Sequence, residues 1–482
     1  VRERRNLLLS GKNSRDGCSP LIHPGRRSFR FFFARSRQAA KKKTLCLSVS
    51  VRPSKNVVDF RGNAVQNFEL IMAIEFFDDS VGIADVSGFS VGAAACNIRG
   101  NADLARLDVA VIFSEKPCTA AGAFTTNDVK AAPVYVSQAH LRGAAAGTPM
   151  HGIVATSGNA NACTGEQGMK DASAMCELAA AACGVAPEQF FVCSTGRIGV
   201  NLPMEKMTRG IAEAAKNLAG TPEESLRAAD AILTSDTRRK TCTAKFTVNG
   251  KTVTISGMAK GAGMIEPGMA TMFGLLATDA EISQNLLQKC LWNAVGQSFN
   301  CVTVDGDMST NDTVLVLANG ESGVKISEED AGTLALFKEA LNAVTFGLAR
   351  KIVGDGEKIS RVVTLHIYGA CTAADANKIA RSIGNSLLVK ASWCGGDPNW
   401  GRLLCSAGYA KCGIDQTKID LFYNDVPVFL KGELQAQNEA AWRRVVGNKE
   451  FAIHMHLNLG VHDYRLISTD LTEAYVDFNK GE

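Results

Sequence analysis

The sequence predicts an α+β fold, with sheets covered by helices and no regular βαβ repeat, and three stretches carry that expectation. "KFTVNGKTVTI" sets Asn249-Gly250 between two alternating runs, Phe246 and Val248 before it and Val253 and Ile255 after it, as a tight β-hairpin requires. "SEEDAGTLALFKEALNAVTFGLARKIVG" repeats Leu334, Phe337, Leu341, Val344, Leu348 and Ile352 at helical spacing, with Gly354 placed to end the helix. "TPEESLRAADAIL" opens a further helix, with Thr221 as N-cap, Pro222 in the first turn and Glu224 completing a capping box.

The 482 residues suffice for one large or two ordinary domains, and 46% apolar with 21% charged residues is a globular composition. Charge divides the chain unevenly. Of the 52 Lys+Arg and 48 Asp+Glu, 15 and two fall within residues 1–55, which leaves 37 basic and 46 acidic residues for the rest. That mildly acidic body offers no basic footprint for nucleic acid. The head contains "GRRSFRFFFARSRQAAKKK" and no apolar run of 18 residues, so neither a membrane span nor a secretory signal is expected. It reads as an organelle transit segment, plastid ahead of mitochondrion, or else as a basic tail that binds something anionic. Residues 56–87 form a connector without a clear pattern, and from about Gly88 short β-type runs alternate with helical periods.

Fifteen cysteines are scattered without a C-x-x-C pair, so they read as reduced, mostly buried small hydrophobes. His454 and His456 of "HMH" would share one face of a strand, but no third ligand is near, and no metal is expected. No P-loop or G-x-S-x-G pattern occurs, and "GAGMIEPG" does not complete a dinucleotide fingerprint.

The hairpin delivers the chain into "KGAGMIEPGMATMFGLLATDA", residues 260–280, where a glycine-rich loop meets a buried strand with Thr271 at the junction. Small residues before it (Gly268 and Ala270) would allow close approach to the Ala270 carbonyl. A threonine hydroxyl needs a base beside it, and the nearest one available is its own α-amine, freed only by a cut immediately before it. An α-amine has a reference pKa of about 7.7–8, near working pH, which suits a base. Read alone, Thr271 is first of all a loop threonine bonded to nearby backbone.

"GMIEPGMATM" resembles the self-cleavage site of the ornithine acetyltransferases, the bifunctional glutamate N-acetyltransferase family of arginine biosynthesis. "AAGAFTTNDVKAAPV", "SGNANACTG", "STGRIGVNLPMEK", "ILTSDT", "SFNCVTVDGDMSTNDTV", "GDGE" and "GDPNWGR" are similar to further family blocks, in family order, from about residue 88 onward. The resemblance implies a layered sandwich of two sheets between helical layers. It implies a cut between Ala270 and Thr271, giving an α chain (88–270 after the head and connector) and a β chain (271–482) that assemble as α2β2. The reaction implied moves acetyl from N2-acetyl-L-ornithine to L-glutamate through acetyl-Thr271, without a cofactor, and some members also use acetyl-CoA.

On the matching positions, Thr195 and Gly196 of "STGRIG" take the oxyanion-hole role. Thr234, Lys260, Glu357 and Asn479 take substrate-binding roles, with Lys260 expected as a mobile point charge for a carboxylate. "GGDPNWGR" is expected to be structural. Two departures stand out. The family follows "GDGE" with small residues, whereas Lys358 stands here, and its tail carries a Thr or Ser a few residues after the Asn, which does not appear before Glu482. Two other classes remain open, a hydrolase of the related self-cleaving fold (an amidohydrolase or aminopeptidase) and an uncut, non-catalytic homologue.

Overall fold

The computed structural model describes residues 74–79, 81–100, 102–266 and 272–480. Strands β1 (Ile74–Asp78), β2 (Phe89–Ala94) and β3 (Val109–Phe124) lead into helix α1 (Ala132–Ala145). Next come β4 (Met150–Asn159), α2 (Gly165–Cys183), β5 (Phe190–Arg197), α3 (Met204–Lys216) and α4 (Pro222–Ala231). The expected hairpin follows as β6 (Lys240–Val248) and β7 (Lys251–Lys260). Asn249 and Gly250 at its tip have φ of 50° and 76°, the pair of positive values that a type I′ turn demands. β8 (Phe273–Thr278) is buried along its whole length, as its apolar run requires.

Beyond it lie β9 (Glu281–Ile282), α5 (Gln284–Gln297), β10 (Thr313–Ala318), β11 (Lys325–Ile326) and α6 (Ala331–Val353). The six apolar residues at helical spacing in α6, Leu334 to Ile352, are all buried. At about 1.5–3 kcal/mol for each side chain removed from water, that stripe fixes the face the helix presents far more firmly than its propensities do.

The strands run in the order β1-β6-β7-β8-β10-β3-β4-β5, with β2 beside β3. β3 serves two layers. Its first half pairs with β2 and β4 and its second half, Thr119–Phe124, pairs with β10. One apolar cluster joins Ile112, Ala155 and Phe191 from the β2–β5 layer to Leu275, Leu315 and Leu317 from the β6–β10 layer. On the outer faces, α2 and α3 cover Val111, Val154 and Val192, while α5 and α6 cover Ile255, Leu276 and Val316. This is the sandwich of two sheets between helical layers.

Three details correct the sequence reading. The connector is not patternless throughout: β1 lies antiparallel to β6, Ile74 opposite Phe246. Only five residues long and ending in Asp78, with Asp79 next, it lacks the alternation that betrays longer strands. Glu224 does not close a capping box. Thr221 accepts from the Glu224 N–H at 3.3 Å, but the Glu224 carboxylate accepts from Ala93 N–H at 3.1 Å and pairs with Arg227, a tertiary partner winning over the local one.

The third concerns the carboxyl-terminal half, which holds a further layer outside the sandwich. Strands β12 (Val362–Ala370), β13 (Asp420–Tyr423), β14 (Val426–Leu430), β15 (Glu433–Leu434), β16 (Glu450–His456) and β17 (His462–Thr469) form a sheet in the order β15-β14-β13-β16-β12-β17. Its buried face packs on α7 (Ala373–Gly384), α8 (Leu387–Cys394), α9 (Trp400–Tyr409) and α10 (Glu439–Val446). "GGDPNWGR" builds the turn from α8 into α9, where Asn399 caps the second helix. On the other face His454 stacks on His366 at 4.8 Å and His456 on Tyr368 at 4.5 Å. Burial is the main force pushing His366 down to about 3 and His454 to about 4. A short helix, α11 (Glu473–Phe478), follows. Among the described residues no helix is long and apolar enough to cross a membrane, and the described cysteines are free thiols.

Candidate active site

Thr195 and Gly196 end β5, in parallel register with Ser157 and Gly158 of β4. Gly196 has φ of 133°, and a Cβ built there would lie 2.3 Å from the Gly158 carbonyl carbon. No other residue fits, because the two backbones nearly touch. Thr195 is 9% exposed, and its Oγ1 accepts from Lys260 Nζ at 3.3 Å. A hydroxyl that accepts from an ammonium keeps its own hydrogen for a further acceptor. Thr195 is thus a directed donor beside a backbone N–H.

Lys260 closes β7 and faces Phe273, the first residue of β8, across the antiparallel ladder. It is 8% exposed, so the mobile point charge expected from the sequence is instead a fixed, buried one. Burial depresses its proton affinity, Lys240 adds to that, and Asp236, Glu357 and Asp312 oppose it. Asp236 shows the converse. Burial alone would raise it, but the charges of Lys260 and Lys240 and the Gly261 N–H hold it ionised below its ordinary range. Asp312, fully buried, is pushed well above its ordinary range by desolvation, against the Met272 amide and the Lys260 charge.

Thr234 donates through N–H and Oγ1 to Asp236 Oδ2 at 3.0 and 3.4 Å, while Arg106 donates to its carbonyl at 2.6 Å. Glu357 is gripped on both oxygens. Ser235 Oγ donates to Oε1 at 2.5 Å and Asn479 Nδ2 to Oε2 at 3.2 Å. A Cβ on Gly263 would lie 2.5 Å from this carboxylate, so the glycine gives it room above the loop after β7. Lys358, the departure from the family's small residue, adopts φ of 54° and lays its ammonium over the Phe478 ring at 4.9 Å.

The structure therefore brings Thr195, Gly196 and Lys260 together and joins Glu357 to Asn479, while Thr234 bonds to Asp236 and its neighbour Ser235 reaches Glu357. Ala270 and Thr271 lie outside the described residues. Just upstream, Asp305 accepts from the N–H groups of Met264 and Ile265 at 2.6 and 2.8 Å, and Glu266 pairs with Arg381. Just downstream, the Met272 carbonyl accepts from Thr313 N–H at 3.0 Å. Sequence reasoning missed Asp236, Lys240, Asp312 and Asp355, although "ILTSDT", "NDTV" and "GDGE" all contain an acid beside small or hydroxyl residues. Among the described residues no group of three or more His, Cys, Asp or Glu is placed to hold a metal.

Comparison with known proteins agrees along the chain. The ArgJ family model matches residues 90–481. "Arginine biosynthesis bifunctional protein ArgJ" of Symbiobacterium thermophilum is 44% identical over 398 residues, 83% of this chain and 97% of that protein. The protein of the same name from Thermotoga neapolitana is 43% identical over 397 residues, 81% of this chain and 98% of its own. Among solved structures, ornithine acetyltransferase complexed with ornithine from Mycobacterium tuberculosis is 35% identical, covering 41% of this chain and 100% of that one, with a TM-score of 0.37. With a family match over more than four-fifths of its length, set on the sandwich and the gathered residues above, the chain belongs to the ArgJ family.

Proposed function

We propose that the chain transfers acetyl from N2-acetyl-L-ornithine to L-glutamate in arginine biosynthesis, giving L-ornithine and N-acetyl-L-glutamate. The observation that carries this reading is the contact of Lys260 with Thr195 beside Gly196, at the point where β7 ends opposite the start of β8. It sets a lysine and a threonine hydroxyl in one buried patch, which supports reading them as a carboxylate anchor and an oxyanion donor.

In this reading Thr271 becomes amino-terminal when its hydroxyl attacks the Ala270 carbonyl and water hydrolyses the resulting ester. In each cycle the same hydroxyl attacks the acetyl amide carbon as the α-amine takes its proton. The Thr195 hydroxyl and Gly196 N–H hold the tetrahedral oxyanion. The C–N bond breaks, ornithine's amine takes a proton and leaves, and the glutamate amine then attacks the threonine ester. Lys260 receives a substrate carboxylate and Glu357 an ammonium, with Thr234 and Asn479 lining the same place. The acetyl rides on Thr271, so no cofactor is required, and acetyl-CoA would serve as a second donor to the same hydroxyl. The assembly proposed is α2β2, and residues 1–55 are proposed to direct import into a plastid; the relatives named above are bacterial.

Incubation with acetylornithine, with and without glutamate, tests the reaction. Acetylglutamate formation supports it, and release of acetate to water would favour the hydrolase reading. Intact-mass measurement tests the cut: Thr271→Ala should leave one uncut, inactive chain. A full-length wild-type chain with no activity would mean the non-catalytic homologue. A fluorescent protein fused behind residues 1–87 tests import, which diffuse cytosolic signal would refute.

A further inference from the structure

Lys240 has no exposed side chain, and the proposed reaction gives it nothing to do. Its ammonium lies 2.6 Å from Asp236 Oδ1 and 2.7 Å from Asp355 Oδ2, and both carboxylates are buried with it. A buried ion cluster is a weak device for stability alone, because desolvation consumes much of the Coulombic gain. What distinguishes this one is what the two carboxylates hold besides Lys240.

Asp236 accepts from the N–H of Thr234 at 3.0 Å and from the N–H of Gly261, next to Lys260, at 2.7 Å. Asp355 accepts from the N–H of Thr237 at 3.0 Å and from its hydroxyl, and stands two residues before Glu357. The three segments bearing Thr234, Lys260 and Glu357 therefore converge on one lysine. The charges that face Lys260 come from Asp236, Lys240, Glu357 and Asp312. Of these, Asp236 is ionised and touches Lys240 directly, while the burial of Asp312 favours its neutral form.

We propose that Lys240, Asp236 and Asp355 form a positioning triad that sets both the place and the charge of Lys260 for a substrate carboxylate. This rests on the reading of Lys260 as the carboxylate anchor. Removing the Asp236 charge lets Lys260 give up its proton at lower pH and release the carboxylate. Removing the Lys240 charge acts in the opposite direction. A purely structural triad would not give opposite signs.

The test uses the cut, full-length protein. The KM for acetylornithine and the Kd for ornithine by calorimetry are followed from pH 6 to 10 in the wild type, Asp236→Asn and Lys240→Met. In the wild type both constants should rise toward alkaline pH as Lys260 loses its proton. Asp236→Asn should move the midpoint about one pH unit or more toward acid, a change of about tenfold in the anchor's protonation equilibrium, and Lys240→Met should move it toward alkaline pH. Midpoints that do not move, or move in the same direction, overturn the triad. Should either variant fail to fold, as judged by circular dichroism, Asp236→Ser and Lys240→Gln replace them with the same opposite shifts expected, and wild-type constants flat from pH 6 to 10 overturn the proposal by themselves. A wild type that binds ornithine with this pH dependence but transfers no acetyl overturns the functional reading alone. Normal transfer with unmoved midpoints overturns the triad alone.

Discussion

The Ser235 hydroxyl donates to Glu357 Oε1 at 2.5 Å, across 122 residues of sequence. With Asn479 on the other oxygen, Glu357 is aimed before any ligand arrives. Ser235→Ala leaves one donor, so the carboxylate should hold a substrate ammonium less well. The KM for acetylornithine should rise about tenfold, as loss of a charge-assisted hydrogen bond implies, with kcat within about twofold. Steady-state kinetics that showed kcat falling at constant KM would assign Ser235 to the transition state instead.

Thr195→Val keeps the side-chain shape and removes the hydroxyl that Lys260 orients. Donors of this kind matter most as charge develops on the oxygen, so kcat should fall about 100-fold or more while KM changes little. The measurement must use protein already cut, because the same donors serve the cleavage step. Near-normal kcat with a much higher KM would place Thr195 in ground-state binding.

Gly196→Ala asks a residue with a side chain to occupy φ of 133° and to intrude on the Gly158 carbonyl carbon. Backbone must separate from backbone at the end of the β4–β5 pair. Urea unfolding should show a loss of about 3 kcal/mol or more, or the variant should not accumulate as soluble protein. Wild-type stability would mean that the two strand ends are not as close as described.

Acid should weaken the carboxyl-terminal sheet through its stacked histidines. In the unfolded chain His366 takes its proton near pH 6.5, but burial, with His454 and Arg465 beside it, pushes it down to about 3 in the fold. Between those values the unfolded state binds more protons, so stability is full above about pH 6.5 and is lost as pH falls. His454, lowered to about 4 by burial and His456 with Asp425 opposing, behaves alike. His366→Phe keeps a stacking ring without the titration, and should recover about 1–2 kcal/mol of the stability lost between pH 7.5 and 5. Thermal melts at the two pH values make the comparison, and an unchanged difference would show that His366 is not held neutral.

Local signals proved the most legible. Asn249-Gly250 gave the hairpin because its turn type admits few residues, and Leu334 to Ile352 gave the helix because one stripe faces one core. Glu224 was misread because its capping partner competes with Ala93 N–H, 131 residues away in sequence. The motif match singled out Thr195, Gly196, Thr234, Lys260, Glu357 and Asn479 as candidates. It said nothing of Lys240, whose partner Asp355 is 115 residues distant and follows no period. The burial of Lys260 was equally hidden, since nothing beside it in the chain distinguishes a fixed lysine from a solvated one.

The strand order carries one last consequence. β8 and β10 lie between β7 and β3, so strands from after residue 271 are flanked on both sides by strands from before it. Were the chain cut between Ala270 and Thr271, the two pieces would remain woven through a single hydrogen-bonded ladder. An affinity tag on either piece should then retrieve both without denaturant, and pieces synthesised apart should have to fold around each other rather than dock as finished halves.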